Sequence, residues 1–380
     1  MANTIKFGNG QWATKEDSIL AYNDENANFK ALPFVTSRAS TATTVNKAGL
    51  LETVASGVPR VDYSGNSKGS YLLEPSRTNL IPYSNDLSNN IYVKSNVTFT
   101  GQTTTAPDGS QVEFLTVDDY LFLNINAIGG SAPSTVRTIS FYVKAQGEDY
   151  QIAYRPPNSF TPIIQDVSST EWTRVVATGL HTVTSMMLQD NRTLSSVGNV
   201  AFWGVQLENG YPTSYIPTSG SIQTRLADTA SQTVPGGIIN SSEGVLYFEG
   251  SSIANNNTYK QISISDGTSN NIITFDYTSS NNAIRSFIKS NGGTGYSMSA
   301  SITDALSVNK FAVKWKDNDF ALWINGVEVD TNSSALAPLN LSDLKFDNGS
   351  GGNNLYGNCK DLKVYDQILS DSELTTLTTI

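Results

Sequence analysis

Four residues with reactive or hydrogen-bonding side chains stand close together in the stretch SYLLEPSRTNLIPYSND, residues 70 to 86. They are Glu74, Ser76, Arg77 and Asn79. A carboxylate, a hydroxyl and a guanidinium at this spacing suit a hydrolytic site, because general acid–base catalysis needs positioned titratable groups. They equally suit the entry to a folded module, where buried charges must be partnered. The rest of the chain has to decide between these two hypotheses.

The residues that catalysis and metal binding use most often are scarce. His181 is the single histidine and Cys359 the single cysteine, so a zinc site built from histidine and cysteine is excluded. A serine–histidine mechanism would have to use His181. That residue lies beside an alternating run, which is typical of a strand or a strand end. We therefore expect no catalytic residue, no metal site and no cofactor.

Carboxylates offer two further kinds of chemistry. A glycoside hydrolase needs two of them facing each other across a cleft, and residues 243–380 contain no recognisable Glu-x-Asp-x-x-Glu array. A pair brought together by the fold stays an alternative, and its members would come from Glu249, Asp266, Asp276, Glu328, Asp330 and Asp361. The Asp- and Asn-rich turns at 263–271 and 316–320 leave a structural calcium ion and plain turns as alternatives.

Aromatic side chains are the remaining resource, because sugars stack on exposed rings. Trp203, Trp315 and Trp323 lie inside strongly alternating runs, which predicts that they pack in a core. Tyr259 follows NNNT and Tyr296 follows GGTG, so both are predicted to lie on loops. These two tyrosines are the candidate ligand contacts.

Composition narrows the class of protein. The 380 residues are 38% hydrophobic and only 15% charged, and the balance is made up by polar turn-forming residues that disfavour helix interiors. The formal charge of −10 opposes binding to nucleic acid and to anionic membrane surfaces. No apolar run approaches the length of a transmembrane helix. The N-terminus lacks the pattern of a signal peptide, and the single cysteine forms no internal disulfide, so we expect synthesis in a reducing cytosol.

Short alternating runs separated by turn residues predict an all-β fold in modules. We divide the chain into an N-terminal module (1–78), a sandwich (79–225), a linker (226–242) and a second sandwich (243–380). NKAG predicts a hairpin with Gly49 at a positive φ, and Asn325-Gly326 predicts a type I′ turn. The segment LSDSELTTL predicts a short C-terminal helix, capped by Ser370 and Glu373.

Strings at the two ends of the second segment carry a resemblance. LEPSRTNL (73–80), YSND (83–86) and APDG (106–109) open it, and FWGVQLENGYPTSYIPTSGS (202–221) closes it. Together they resemble the entry and exit of carbohydrate-binding-type jelly-roll modules in structural proteins of tailed bacteriophages. RASTATTVNKAGLLETVASGVPRVDYS (38–64) is similar to the segment that precedes such modules. The resemblance implies that Glu74, Arg77 and Asn79 are structural and pair across a module junction.

The last segment is similar to concanavalin-A-like or laminin-G-like sandwiches. KFAVKWKDNDFALWINGVEVDT (310–331) and LYGNCKDLKVYDQILSDSELTTL (355–377) carry this likeness. It implies a fold more than a ligand.

Taken together, the resemblances imply a non-enzymatic head- or tail-fibre protein of a phage virion. Such a protein is made in the host cytoplasm and displayed on the particle exterior. The N-terminal module would dock on other virion proteins, copies of the chain would form a homo-oligomer, and the sandwiches would bind host-surface glycans weakly and multivalently. The alternatives are a glycan depolymerase of the tail and an inert spacer without a ligand.

Overall fold

The computed structural model describes residues 4–8, 13–15, 18–23, 28–124, 136–155, 161–180, 185–194, 198–233 and 239–380. The fold is all-β, as predicted, with one short α-helix near the C-terminus among these residues. The described part of the chain also contains no helix that is long and apolar enough to cross a membrane.

The strands follow one another in chain order. The first eighteen are β1 (Thr4–Gly8), β2 (Ala13–Lys15), β3 (Ser18–Asn23), β4 (Asn28–Ser37), β5 (Ala42–Val45), β6 (Leu51–Val54), β7 (Val61–Asp62), β8 (Ser70–Leu73), β9 (Arg77–Asn79), β10 (Tyr92–Thr105), β11 (Gln111–Asn124), β12 (Val136–Ala145), β13 (Tyr150–Tyr154), β14 (Ile163–Val167), β15 (Thr173–Leu180), β16 (Ser185–Asp190), β17 (Val200–Asn209) and β18 (Gln223–Arg225). The others are β19 (Thr229–Thr233), β20 (Glu243–Ser252), β21 (Lys260–Ser265), β22 (Ile272–Tyr277), β23 (Ala283–Lys289), β24 (Tyr296–Ser301), β25 (Asn309–Lys316), β26 (Phe320–Ile324), β27 (Val327–Asn332), β28 (Asp343–Lys345) and β29 (Gly357–Tyr365), followed by helix α1 (Asp371–Thr378).

The chain forms two compact units. Residues 1–47, 54–75 and 227–380 form the first, which we call the terminal unit. Residues 48–53 and 76–226 form the second, the central unit. Residues of the predicted first module and of the predicted last sandwich therefore share one unit. The predicted segment boundaries themselves stay a prediction.

The terminal unit is an antiparallel sandwich. One layer runs β27–β26–β25–β20–β29, and the free side of β29 pairs with β8 at one end and with β1 at the other. The other layer runs β24–β23–β22–β21–β28–β19–β4–β3. Apolar side chains of both layers fill the space between them, among them Leu246, Phe248, Ile262, Phe275 and Trp315.

Local sequence signals explain several of these elements. Asn325 and Gly326 have φ angles of 49° and 87°, which the type I′ turn between β26 and β27 requires. Gly49, in the turn between β5 and β6, has a φ of 80°. Ser370 and Glu373 form the predicted capping box at the start of α1. These predictions are confirmed.

All three tryptophans expected in a core are buried. The exposed fraction is 2% for Trp203, 0% for Trp315 and 5% for Trp323. Trp323 belongs to a small apolar cluster that includes Leu374 of α1, so the helix covers part of the outer face of its sheet.

Lys260 opens β21 with an almost fully buried side chain, whose Nζ donates to Asn256 Oδ1 at 2.7 Å. Burial disfavours the charged form and lowers the pKa of the Lys260 ammonium from 10.5 to about 8. Between these pH values the unfolded chain keeps a proton that the folded chain has released. The free energy of unfolding contributed by this group therefore rises with pH from about 8 to 10.5.

We accordingly expect the stability of the wild-type chain, relative to Lys260→Met, to increase when the pH is raised from 8 to 10. Hydrogen exchange of the terminal unit, measured across this range, would check it. Lys289→Met, which replaces a partly exposed lysine of β23, is the control. Parallel curves for wild type and Lys260→Met would contradict the expectation.

The central unit is built around the antiparallel order β10–β11–β17–β12–β15, with β16 also paired to β11. Its core contains Leu121, Leu123, Ile139, Phe141, Leu188 and Phe202. Within β17, Gly204 has a φ of 66° at a register irregularity opposite β12. Its backbone N–H turns towards Asn85 and donates to Oδ1 at 2.8 Å.

Candidate functional site

Glu74, the carboxylate of the opening stretch, belongs to a buried ionic cluster in the terminal unit. It is 2% exposed, and Arg60 Nη1 donates to its Oε2 at 2.6 Å. Arg60 also pairs with Asp228, and Arg38 Nη1 donates to Asp228 Oδ1 at 2.9 Å. Two guanidiniums and two carboxylates thus balance each other away from water, which is how buried charges are tolerated. Glu74 therefore stabilises the fold of the terminal unit through a buried ion pair.

Arg77 and Asn79 lie in the central unit and do not join this cluster. The guanidinium of Arg77 lies 4.2 Å from the centre of the Tyr211 ring, a cation–π contact. The Asn79 amide donates to Ile216 O at 2.9 Å and accepts from the backbone N–H of Ile81 at 3.0 Å. Arg77 and Asn79 therefore have partners within the central unit, and Glu74 has its partners within the terminal unit. The expected charge pair exists, but the partner of Glu74 is Arg60 and not Arg77.

A pocket lies a few residues further along the same stretch, within the central unit. Its volume is about 510 Å³. The lining residues are Tyr83, Asn85, Asp86, Pro217, Thr218 and Ser219. Residues 83–86 belong to the entry string of the module and residues 217–219 to its exit string. The two strings that carry the resemblance therefore meet at one pocket, which we call the Tyr83 pocket.

Backbone pairing brings the two strings together. Tyr83 and Ser219 form an antiparallel bridge, and the Gly220 N–H donates to Pro82 O at 2.8 Å. Beneath the pocket, the fully buried Ser84 is within 2.7 Å of the Tyr215 hydroxyl, and its N–H donates to Thr218 Oγ1 at 3.0 Å. This hydrogen-bonded floor fixes the pocket walls, because each buried polar group has a partner.

Asn85 and Asp86, at the rim of the pocket, each use one side-chain oxygen for hydrogen bonds within the protein and keep a second polar atom available to a ligand. Asn85 Oδ1 accepts from the Gly204 N–H and from the Tyr215 hydroxyl, at 2.8 and 3.1 Å. Asp86 Oδ1 accepts from the N–H and the hydroxyl of Ser88, at 3.1 and 2.5 Å. Within the described residues, no hydrogen bond is made by Asn85 Nδ2, Asp86 Oδ2 or Ser219 Oγ. The pocket thus offers a fixed donor, a fixed carboxylate and a hydroxyl.

Electrostatics behind the rim support this arrangement. Burial raises the pKa of the Tyr215 hydroxyl, so it stays protonated and can donate to Asn85. Burial lowers the pKa of Lys94, while the Asp86 carboxylate opposes that shift. The Lys94 ammonium donates to the carbonyl oxygens of Leu87 and Tyr92 at 3.0 and 2.8 Å. It therefore anchors the turn that presents Asp86.

The two tyrosines predicted as ligand contacts have different environments. Tyr259 precedes β21 outside any strand, as predicted, and is half-buried. The Arg285 guanidinium lies 5.0 Å from its ring centre and pairs with the buried Asp276 at 2.5 Å. Burial raises the pKa of the Asp276 carboxyl, and the facing Arg285 counteracts this. A ring, a guanidinium and a carboxylate thus adjoin on the outer face of β21–β23.

Tyr296 is not on a loop. It is the first residue of β24 and packs against the core of the terminal unit. The preceding glycines made the sequence look like a loop up to and beyond this residue, but the strand begins immediately after them. Its role as a ligand contact stays a prediction, as does that of Tyr259.

Of the six carboxylates considered for a hydrolytic pair, Glu249 and Asp361 lie opposite each other on β20 and β29, and each is paired with a lysine. His181 lies outside the described residues. The string GNSKG (65–69), which sequence reasoning overlooked, has the Gly-x-Ser-x-Gly spacing of a hydrolase nucleophile turn. Here it joins β7 to β8, two paired strands, and not a strand to a helix. No group of three or more His, Cys, Asp or Glu residues in the described ranges could hold a metal ion.

In the Asp- and Asn-rich turn at 263–271, the Asp266 carboxylate accepts hydrogen bonds from other residues of the same turn. Asp266 Oδ1 accepts from the Thr268 N–H at 2.9 Å, and its Oδ2 accepts from Asn271 Nδ2 at 2.8 Å. These hydrogen bonds lower the pKa of the Asp266 carboxyl against the opposing effect of burial. The bonds are those of an ordinary polar turn.

No family model matches the chain, and no curated protein matches it. The CBM40 of the Ruminococcus gnavus IT-sialidase, bound to alpha2,3 sialyllactose, is one structural neighbour. The match has 18% identity and a TM-score of 0.33, and covers 37% of this chain and 84% of that one. Domain 4 of the arabinanase AbnA from Geobacillus stearothermophilus, in complex with arabinotriose, has 14% identity and a TM-score of 0.33, with 45% and 82% covered. The botulinum neurotoxin serotype G binding domain has 15% identity and a TM-score of 0.32, with 40% and 39% covered. Likenesses at these TM-scores assign neither a family nor a ligand to this chain.

Proposed function

We propose that this chain is a non-enzymatic glycan-binding protein of a bacteriophage particle, and that the Tyr83 pocket receives the sugar. The proposal that the chain binds a glycan rests on the size and the lining residues of this pocket. Its volume of about 510 Å³ lies within the 300–1,000 Å³ that is usual for small-ligand sites. That is enough room for one or two sugar rings.

The lining groups match the two kinds of surface that a sugar presents. Tyr83 and Pro217 offer apolar faces for the C–H face of a pyranose ring. Asn85, Asp86 and Ser219 offer one amide donor, one carboxylate acceptor and one hydroxyl for neighbouring sugar hydroxyls. A single carboxylate at the rim favours a neutral sugar over an acidic one.

The phage assignment rests on the strings that resemble virion proteins. In this proposal the chain is made in the host cytoplasm and carried on the exterior of the virion, as a fibre or decoration of head or tail. Residues 1–78 attach it to other virion proteins, and several copies assemble as a homo-oligomer. Weak binding at each site then gives useful avidity, because later contacts form at a high effective concentration.

A retention assay with bacterial surface glycans tests the proposal. The purified chain is incubated with immobilised neutral and acidic glycans, and both retention of the protein and release of reducing ends are scored. We expect retention on neutral glycans without release of reducing ends. Release would identify a depolymerase with a carboxylate pair in its fold. Failure to be retained on any glycan would leave an inert spacer.

A further inference from the structure

A second polar pocket lies in the terminal unit against strands β20, β25 and β29. Its volume is about 350 Å³. The charged residues that line it are Lys68, Lys310, Lys360, Glu249 and Asp361. Asn66, Ser67 and Gly69, in the turn between β7 and β8, complete the lining. We call it the lysine pocket.

The sheet places these side chains in one row. Glu249 of β20 is paired with Lys310 of β25 on one side and with Asp361 of β29 on the other. The next pair joins Gly250 to Cys359, so Lys360 is an extra residue in β29. Such a bulge re-aims a side chain. The Lys360 ammonium accordingly reaches Glu249 Oε1 at 3.2 Å.

The pocket has more positive than negative charge. Lys360 pairs with Glu249, and the adjacent Lys363 pairs with Asp361. Lys310 Nζ donates to a neutral acceptor, Thr379 O, at 2.8 Å. The Lys68 side chain forms no hydrogen bond or ion pair within the described residues. The three lysines and two carboxylates that line the pocket leave a net charge of +1, in a chain whose formal charge is −10.

We propose that the lysine pocket binds an acidic sugar unit, one that carries a carboxylate or a sulfate. Lys68 and Lys310 supply charge that internal carboxylates do not neutralise, which attracts an anionic group. The Ser67 hydroxyl and the partly exposed Glu249 carboxylate offer hydrogen bonds to the sugar hydroxyls around that group. This inference rests on the proposed function only for the source of the ligand, a bacterial surface glycan, because the lysine pocket and the Tyr83 pocket lie in different units.

Calorimetric titration of the full chain with trigalacturonic acid tests the inference, with galactotriose as the neutral counterpart. We expect the acidic trisaccharide to bind and its dissociation constant to rise with salt. Lys68→Glu should weaken this binding at least about tenfold, which corresponds to a loss of about 1.4 kcal/mol. Lys360→Gln should weaken it as well. Lys47→Glu is the matched control, because it makes the same change of charge at an exposed residue of the same unit that does not line the pocket.

Several outcomes would overturn the inference. One is that neither trigalacturonic acid nor a sulfated galactose trisaccharide binds. Another is that Lys47→Glu weakens binding of trigalacturonic acid as much as Lys68→Glu does. Equally tight binding of inorganic phosphate would mean that the pocket takes any anion. If Tyr83→Ala abolishes binding of the acidic sugar and Lys68→Glu does not, the ligand occupies the other pocket. Comparing the dissociation constants of the carboxylated and the sulfated trisaccharide identifies the acidic group that the pocket prefers.

Discussion

Replacing Asp228 with alanine is expected to lower the free energy of unfolding of the terminal unit by about 3–5 kcal/mol. The carboxylate accepts hydrogen bonds from Arg38, from Arg60 and from the backbone N–H of Glu74. Its removal leaves two fully buried guanidiniums facing one remaining carboxylate. Hydrogen exchange read by mass spectrometry would localise the loss, because it reports on peptides of the two units separately.

The control for this substitution is Glu243→Ala. Glu243 pairs with Lys316 at 2.8 Å in the same unit, but the two side chains are 27% and 47% exposed. Water replaces such a pair, so its loss should cost less than about 1 kcal/mol. Asp228→Asn, which keeps an acceptor and removes the charge, should fall between the two. If Asp228→Ala is as mild as Glu243→Ala, the ionic cluster is not what secures this part of the fold.

Removing the carboxylate of the Tyr83 pocket is expected to weaken binding of the retained neutral glycan by about tenfold or more. A hydrogen bond to a charged group is worth about 1.5–3 kcal/mol, and about 1.4 kcal/mol corresponds to a factor of ten. Asp86→Ala tests this contribution. Tyr83→Ala removes the ring face and should cost about 0.5–1.5 kcal/mol of binding free energy. Titration of both variants with the glycan retained by the wild type gives the two values.

Asp108 provides a close control for Asp86. Its Oδ1 accepts from the N–H and the hydroxyl of Ser110 at 3.0 and 2.6 Å, which repeats the contacts of Asp86 with Ser88. Both residues are exposed and belong to the central unit, but only Asp86 lines the pocket. Asp108→Ala therefore removes the same kind of carboxylate contact at a residue that does not line the pocket. Equal affinities for the two variants would exclude the Tyr83 pocket as the sugar site.

Sequence reasoning succeeded where a signal is local. The Asn325-Gly326 turn depends on residues that tolerate positive φ, and the capping box depends on two residues of one helical turn. The burial of Trp315 in β25 and of Trp323 in β26 follows from alternation within each strand. Tyr296 was misassigned because glycines that precede a strand resemble a longer loop.

The pocket could not be predicted because it depends on pairing between distant segments. Ser84 and Thr218, whose hydrogen bond forms its floor, are 134 residues apart. The entry string contains Tyr83 and Asp86 and the exit string contains Ser219, but neither string by itself shows that the other is its neighbour. The partner of Glu74 was missed for the same reason, since Arg60 lies in a different strand connection.

The pairing of β1 and β8 with β29 also has a consequence for how the protein is made. Thr4 lies opposite Tyr365, and Leu73 lies opposite Gly357. At about 5–20 residues per second, the ribosome needs about 20–70 s to progress from the first of these strands to the last. Before β29 is made, the strands β1 and β8 lack this partner, whereas residues 48–53 and 76–226 have been synthesised and can fold as the central unit. Nascent chains stalled before β29 should therefore carry a protease-resistant central unit and an exposed, aggregation-prone N-terminal segment.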